Sequence, residues 1–370
     1  MESHFRRSTV MTTEPLPTLD DLARMQAVDK RNMLRLINEL PEQCETALGI
    51  ARSFSIEPPA KRPNVVFITG IGDSGAAADM AAAALADEAE IAIESDHGGK
   101  LPRYVGEDSL VIVVDYTGKS GSELRNLKEA KSRGADVICV TSGGRLLEAA
   151  TSEGIRTIKI PPGQPHRSAI GYLFVPLVVT VEKLGFATGS SEKLSHAIKL
   201  MKNVREQLRF ENPTARNTAK QTAQALFGKL AVIYGAPGYR SVVAARWKSQ
   251  INANSKGLAF TGAFPDVAGS DISGWELVKN RSGEFGIVLL KDATDKSEVA
   301  DLMAASEDVL SNFGVIEVDM RGGTTMEKLL YGIYLGDFVS YYLALLYEVN
   351  PSVTENVTLV ESKLAEEQAE

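Results

Sequence analysis

Short apolar runs alternate along this chain with longer stretches of helical spacing. Between Leu22 and Ser53, apolar residues recur at Met33, Leu34, Leu36, Ile37 and Leu40, which predicts an N-terminal helix within 22–57. Pro58, Pro59 and Pro63 break that pattern. Asn64-Val-Val-Phe-Ile-Thr69 is then apolar without alternation, as suits a strand covered on both faces. It runs directly into Gly70-Ile-Gly-Asp-Ser-Gly75 and an alanine-rich helix over 76–86. Further strands are predicted at 90–94, 109–115, 136–140 and 156–160, with helices over 122–133 and 145–152. Strands alternating with helices of about a dozen residues imply a parallel sheet with helices on both faces.

The second half repeats this order. Lys229-Leu-Ala-Val-Ile-Tyr234 is again a strand ending at glycine, here Gly235-Ala-Pro-Gly238. A strand at 285–290, a helix over 296–313 and a strand at 315–319 match the corresponding elements of the first half. Arg321-Gly-Gly-Thr-Thr-Met-Glu327 answers Ser142-Gly-Gly-Arg-Leu-Leu-Glu148. Gly235 follows Gly70 by 165 positions and Gly322 follows Gly143 by 179, so two duplicated α/β lobes are expected. The organisation predicted is a disordered tail over 1–21, the N-terminal helix over 22–57 and a first lobe over 58–167. A helical bridge over 168–225, a second lobe over 226–350 and a polar C-terminal helix within 351–370 complete it.

Composition narrows the function classes. With 370 residues, 44% hydrophobic and 24% charged, the chain is of ordinary globular make-up and long enough to bury large cores without a disulfide or metal. Its net charge of −8, with no basic block, argues against a nucleic-acid partner, since phosphate neutralisation needs clustered Lys and Arg. The two cysteines, Cys44 and Cys139, fit neither a CxxC nor a metal spacing and read as buried thiols in a reducing compartment. The N-terminus lacks the apolar core of a signal peptide, Met11 is an alternative start, and a cytoplasmic location is expected. Only Leu329–Tyr347 approaches membrane length. Interrupted by Asp337 and two glycines, it reads as a helix buried between domains or subunits, so no membrane partner is expected.

The loops carry the candidate chemistry. Gly70-x-Gly72-x-x-Gly75, with Glu94 about twenty residues on, fits the dinucleotide fingerprint in letter. No accompanying substrate base is visible, and a tight turn without a ligand accounts for the glycines better than a dinucleotide does. A phosphosugar pocket explains more residues at once. Ser74 opens a helix, where free backbone N–H groups and a hydroxyl can hold a phosphate. Asp115-Tyr-Thr-Gly-Lys-Ser-Gly-Ser122 also precedes a helix and offers Thr117, Lys119 and Ser120. Two such loops at the carboxyl ends of neighbouring strands converge on one point.

On these residues the sequence resembles the sugar isomerase (SIS) domain proteins, and within them the double-SIS bifunctional phosphoglucose/phosphomannose isomerases. The family's G-M-G-G-S-G turn reads Gly70-Ile-Gly-Asp-Ser-Gly75 here, and its S-Y-S-G-N-T loop reads Asp115-Tyr-Thr-Gly-Lys-Ser120. Its T-T-G-G-R/K-L turn reads Thr141-Ser-Gly-Gly-Arg-Leu146, and its proline-rich segment ending in P-R is similar to Pro161–Arg167. Its Y-L-G-D-x-V-S-x-Y-L-A-L-L stretch reads Tyr334–Leu346. The matches come in the family's order from Asn64 to the end. The resemblance implies two tandem SIS lobes, each a flavodoxin-like three-layer unit of parallel sheet and helices, with a sugar site between them. It also implies a homodimer, no cofactor, no metal, and a small-molecule phosphosugar as partner.

The family reaction implied is aldose–ketose isomerisation of glucose 6-phosphate or mannose 6-phosphate to fructose 6-phosphate through a cis-enediol. A glutamate moves the proton and a histidine assists ring opening. An arginine steadies the enediolate, and a lysine near the C-terminus lines the site. The family's W-K-x-Q-x-N-E-N-x-K segment reads Trp247-Lys-Ser-Gln-Ile-Asn-Ala-Asn-Ser-Lys256, which puts Ala253 at the glutamate position. Its F-P-E-L-x-H-N-E turn reads Phe264–Asp271, which puts Gly269 at the histidine position. All four histidines, His4, His97, His166 and His196, precede the second lobe. Asp73 and Asp115 each set a carboxylate where a dianion should sit, at a cost on the order of 1–4 kcal/mol per like charge.

What remains is Gly72, Ser74, Thr117, Lys119 and Ser120 for phosphate, Arg167 for the anion, and Lys363 near the family's lysine. Arg167 reads alternatively as an interface ion pair, Lys363 as a solvated lysine, and His97 as a surface turn residue rather than a ligand contact. Trp247 and Trp275 read as packing residues. Two function classes stay open. One is the family isomerase. The other is a catalytically degenerate relative that binds a phosphosugar or another anion in a regulatory or structural role.

Overall fold

The computed structural model describes residues 18–59 and 61–367, so residues 1–17 of the expected tail, with Met11 and His4, lie outside the described residues. Thr18–Asp21 is anchored: Leu19 is buried, its carbonyl accepts from the Lys220 ammonium at 2.6 Å, and Asp20 accepts from Thr214. Three helices follow, α1 (Leu22–Val28), α2 (Met33–Asn38) and α3 (Leu40–Ser53), where the spacing predicts one. The break has a local cause. Asn32 takes a left-handed φ of 54°, and the Asp29 carboxylate accepts from the Met33 and Leu34 N–H groups at 2.8 and 2.9 Å, which restarts the helix.

The first sheet is wholly parallel. It comprises β1 (Val65–Thr69), β2 (Ala92–Asp96), β3 (Ser109–Asp115), β4 (Asp136–Thr141) and β5 (Arg156–Lys159), ordered β2-β1-β3-β4-β5. Between these strands run α4 (Asp73–Leu85), α5 (Gly121–Ser132) and α6 (Gly144–Ser152). Every residue of β1 and β3 is buried, as their unbroken apolar runs require. The bridge is α7 (Ile170–Lys183), α8 (Ser190–Leu208) and α9 (Thr218–Leu226).

The second sheet holds β6 (Leu230–Gly235), β7 (Ala259–Ala263), β8 (Phe285–Lys291) and β9 (Ile316–Asp319), again parallel and ordered β7-β6-β8-β9. Its helices are α10 (Tyr239–Gln250), the single turn α11 (Ile272–Gly274) and α12 (Glu298–Leu310). The chain closes with α13 (Thr325–Leu346) and α14 (Glu355–Glu367). Strand β7 has no counterpart in the sequence reading. As an edge strand with exposed Phe260 and Thr261, it lacks the apolar run that marks its neighbours.

The two lobes share one hydrophobic core, in which α4 packs on α7 and α10, and α10 on α13. Helix α13 is long and apolar enough to cross a membrane, yet it is buried throughout. Its cover comes from α8, α9 and α10 of the same chain, so of the two burials the sequence leaves open, between domains or between subunits, the structure shows the first. Contact with α10 is close. Trp247 is fully buried and its indole N–H donates to the Gly332 carbonyl at 2.8 Å, while a Cβ at Gly336 would fall inside the indole. Gly336→Ala is therefore expected to cost about 1–3 kcal/mol through overpacking, read as a lower urea midpoint with unchanged slope. A midpoint equal to that of the unaltered chain would show that α10 and α13 part freely.

Candidate functional site

In the first sheet the order in which strands are laid down reverses between β1 and β3, so the loops after these strands open onto a common crevice. The β1 turn admits only glycine at its first position, because a Cβ on Gly70 would sit 2.7 Å from Ser74 Cβ and 2.9 Å from the Val114 carbonyl. Gly72, at φ 59°, then turns the chain into α4, whose first turn holds Asp73 and the buried Ser74. The β3 loop packs on the turn after β4. Ser142 donates both its N–H and its hydroxyl to the Tyr116 carbonyl, at 2.9 and 2.6 Å, and Leu146 N–H reaches Gly118 O at 3.0 Å. This fixes Thr117 and Ser120, both half-buried, beside the α4 turn, with Lys119 exposed.

Tyr116 ties this loop to Arg167. Its buried ring lies edge-on to His166, its hydroxyl donates to the Pro161 carbonyl at 3.1 Å, and Gln164 N–H donates back at 3.1 Å. The proline-rich strand end is thus held where it delivers Arg167, on a single turn, into the space between the lobes. Arg167 Nε donates to Asn254 Oδ1 at 2.9 Å and Nη2 to the Pro351 carbonyl at 2.8 Å. Burial pushes its pKa down, partly opposed by Asp73 and reinforced by Arg246.

A buried arginine joins the two lobes at this point. Arg246, on α10, forks onto Asp337 of α13 with both contacts at 3.2 Å. It also donates to Asp73 Oδ1 at 3.1 Å and to the Arg167 carbonyl at 2.7 Å. This revises the expectation for Asp73, whose carboxylate turns to Arg246 instead of standing unpaired in the phosphate turn. Asp115 is likewise engaged, accepting the Ser120 N–H at 2.8 Å. Both carboxylates are structural partners in this conformation.

Beyond Arg167 the chain leaves α10 through a π-helical turn, Ile251–Ser255, which carries Ala253 half-buried. Asn254 is clamped beside it by Arg167, Gln250 and Ser340. Lys256, at φ 57°, closes the turn by donating to the carbonyls of Ala253, Asn254 and Asn350 at 2.8, 3.1 and 2.9 Å. Burial and then the nearby Arg167 push its pKa down to about 8. Ser74, the arginine and the position of the family base therefore lie along one connected array, with Thr117, Lys119 and Ser120 on the loop after β3. The links of that array run from Ser74 and Asp73 through Arg246 to Arg167, Asn254 and Ala253.

Other expected positions stand apart. Lys363 is exposed on α14, eight residues beyond Glu355 and so about 12 Å along the axis, and is not among the groups touching Arg167. Gly269 lies exposed on a second π-helical turn, Val267–Asp271, packed on β7 and α12. His97 borders the crevice, with Nε2 at 2.8 Å from Asp79 and Nδ1 close against Gly75. Trp275 packs among Phe285 and Phe313, as the packing reading has it.

The equivalent crevice of the second lobe is closed upon itself. Asp292 accepts both contacts from the Lys328 ammonium, at 2.9 and 2.8 Å, and further bonds from Tyr239 and Thr294. Burial alone would raise the Asp292 pKa, but these donors outweigh it and hold the carboxyl below the usual range. Arg240 pairs with Asp295. Asp292-Ala-Thr-Asp-Lys-Ser297 repeats the D-x-T-x-K-S pattern of Asp115–Ser120, a signal in the sequence that would have located this second loop.

Residues 61–164 match the SIS domain model, and residues 215–364 match the bacterial phospho-glucose isomerase C-terminal SIS domain. A bifunctional phosphoglucose/phosphomannose isomerase of Caldicellulosiruptor bescii is 34% identical over 90% of this chain and 99% of its own length. The chain belongs to the bifunctional phosphoglucose/phosphomannose isomerase family. A relative of the same description from Thermoplasma acidophilum is 31% identical over 77% of the chain and 85% of its own length. Among solved structures, a hypothetical protein of Thermus thermophilus superposes with a TM-score of 0.71 at 15% identity, covering 94% of each chain. The C-terminal domain of the glucosamine-fructose-6-phosphate aminotransferase of Francisella tularensis gives 0.64 at 15% identity, over 87% of this chain and 98% of that one. These likenesses show tandem SIS lobes.

Arg246, Asp337 and Glu123 were not assigned roles by sequence reasoning. Asp337 stands within the family's Y-L-G-D stretch and Arg246 directly precedes its W-K segment, so position in those motifs was the signal available.

Proposed function

We propose that this member of the isomerase family binds a sugar phosphate between its lobes without interconverting aldose and ketose. One observation carries the reading. The turn that must present the base offers the methyl group of Ala253. Moving a proton between adjacent carbons needs a titratable group within about 2.6–3.2 Å of it. Lys256, on the same turn, spends its donors on three carbonyls, and Arg167 does not give up its proton at ordinary pH. Arg167, Ser74, Thr117 and Ser120 can still recognise an anionic sugar, with the Lys256 charge nearby to attract it, so binding outlasts chemistry.

The competing reading is the isomerisation of glucose 6-phosphate or mannose 6-phosphate to fructose 6-phosphate. The similarity over 90% of the chain to a relative of that description favours it. The reading also carries a homodimer and a cytoplasmic location. In support stand the exposed apolar row Val357 and Val360 on α14, two buried free cysteines, and the acidic charge.

Calorimetric titration with fructose 6-phosphate tests the proposal. The unaltered chain is expected to bind, Arg167→Ala to bind at least about tenfold more weakly, and neither to turn the sugar over. Affinity is expected to fall as pH rises through about 8, because Lys256 is charged below that value and neutral above it. Lys256→Gln should flatten the profile between pH 7 and 9. Turnover by the unaltered chain that disappears in Arg167→Ala would establish the isomerase instead.

A further inference from the structure

The first turn of α5 contains an anion of its own. Glu123, its third residue, is fully buried, and its Oε2 accepts from the hydroxyls of both Ser120 and Ser122. The Ser120 N–H is taken by Asp115. These are the donors that a phosphate arriving at this helix N-terminus would use. Glu123 Oε1 has no hydrogen-bond partner and faces the Asp96–Gly99 turn, about 3.1 Å from where a Cβ on Gly98 would lie. A buried carboxylate oxygen without a donor is costly, so this side chain is held where its own demand is only half met.

Helix capping does not explain the arrangement, although Ser120-Gly-Ser-Glu123 has the letters of a capping box. In a capping box the serine hydroxyl accepts from the third N–H of the helix, and the glutamate accepts from the cap N–H. Helix α13 forms that box in full between Thr324 and Glu327. Helix α5 does not: the Ser120 hydroxyl donates to the carboxylate, and no side chain caps the helix.

We propose that Glu123 is a built-in competitor for the ligand's phosphate, seated in the first-lobe cradle and turned aside only when a phosphorylated sugar enters. This rests on the reading of the crevice as a sugar-phosphate site. Glu123 then sets how tightly a phosphate is held, and releasing Ser120 and Ser122 is the step that opens the cradle.

The test is titration of inorganic phosphate and of fructose 6-phosphate into the unaltered chain, Glu123→Gln and Glu123→Ala, each checked for folding by circular dichroism. Both variants are expected to bind phosphate tighter by about tenfold or more, the scale of removing a like charge at contact distance. Glu123→Gln keeps the side-chain shape, so it reports on charge even if Glu123→Ala folds poorly. Phosphate affinity within about threefold of the unaltered chain in both variants overturns the proposal. If fructose 6-phosphate binds the unaltered chain and the variants equally, the competitor fails and the sugar-phosphate site stands. If the variants gain phosphate while no form binds the sugar, the competitor stands and that site reading fails.

Discussion

Arg246→Ala is expected to remove about 3–5 kcal/mol of folding stability, the range for breaking a buried ion pair at one partner. Arg246 is 4% exposed, and its guanidinium holds Asp337, Asp73 and the Arg167 carbonyl at once. Truncation would leave Asp337, 5% exposed, without its countercharge. Burial already pushes the Asp337 pKa up, opposed mainly by Arg246, and losing that opposition raises it further. An acid whose folded pKa lies above its unfolded value binds more protons when folded, so stability falls as pH rises through that window. The deficit of Arg246→Ala should therefore be greater at pH 7 than at pH 5 in urea titrations. Arg246→Met combined with Asp337→Leu should recover part of the loss, since no unpaired charge stays buried between α10 and α13. A deficit below about 1 kcal/mol at both pH values would show that the lobes do not depend on this junction.

The architecture was legible where burial is two-sided. β1 and β3 are apolar at successive positions because helices cover both faces, and the sequence reading of 109–115 coincides with β3. Glycines that no other residue can replace, such as Gly70, marked the turns after the strands. Strand β7 escaped notice because an edge strand with one exposed face has no such run. The family base and histidine positions could be placed by motif alone. The roles of Asp73, Arg246 and Asp337 could not, because the three lie on helices far apart in sequence and meet only when the lobes close together. A carboxylate in a phosphate turn looks repulsive until its partner, 173 positions away, is known. Glu123 was hidden differently. Its letters spell a helix cap, and only the direction of the Ser120 hydroxyl distinguishes a cap from a competitor.

Ala253→Glu is expected to raise proton transfer on fructose 6-phosphate by about 10²–10⁴-fold over the unaltered chain, the usual contribution of a positioned base. The backbone there is already fixed, since Asn254 is clamped by Arg167, Gln250 and Ser340 and Lys256 binds the Ala253 carbonyl. Ala253 is half-buried, so its position is not enclosed on every side. Arg167 and Lys256 would keep the new carboxylate ionised, as a base must be, but would also lower its basicity, which favours the lower end of that range. Washout of the C1 proton of the sugar into deuterated water, followed by NMR, reads the enediol step directly, even though Gly269 stands at the position of the family histidine that assists ring opening. The unaltered chain should show no washout above the uncatalysed rate. Equal washout with and without the glutamate would mean that some other group is the base, and Arg167→Ala in the same assay would decide whether it acts in this crevice.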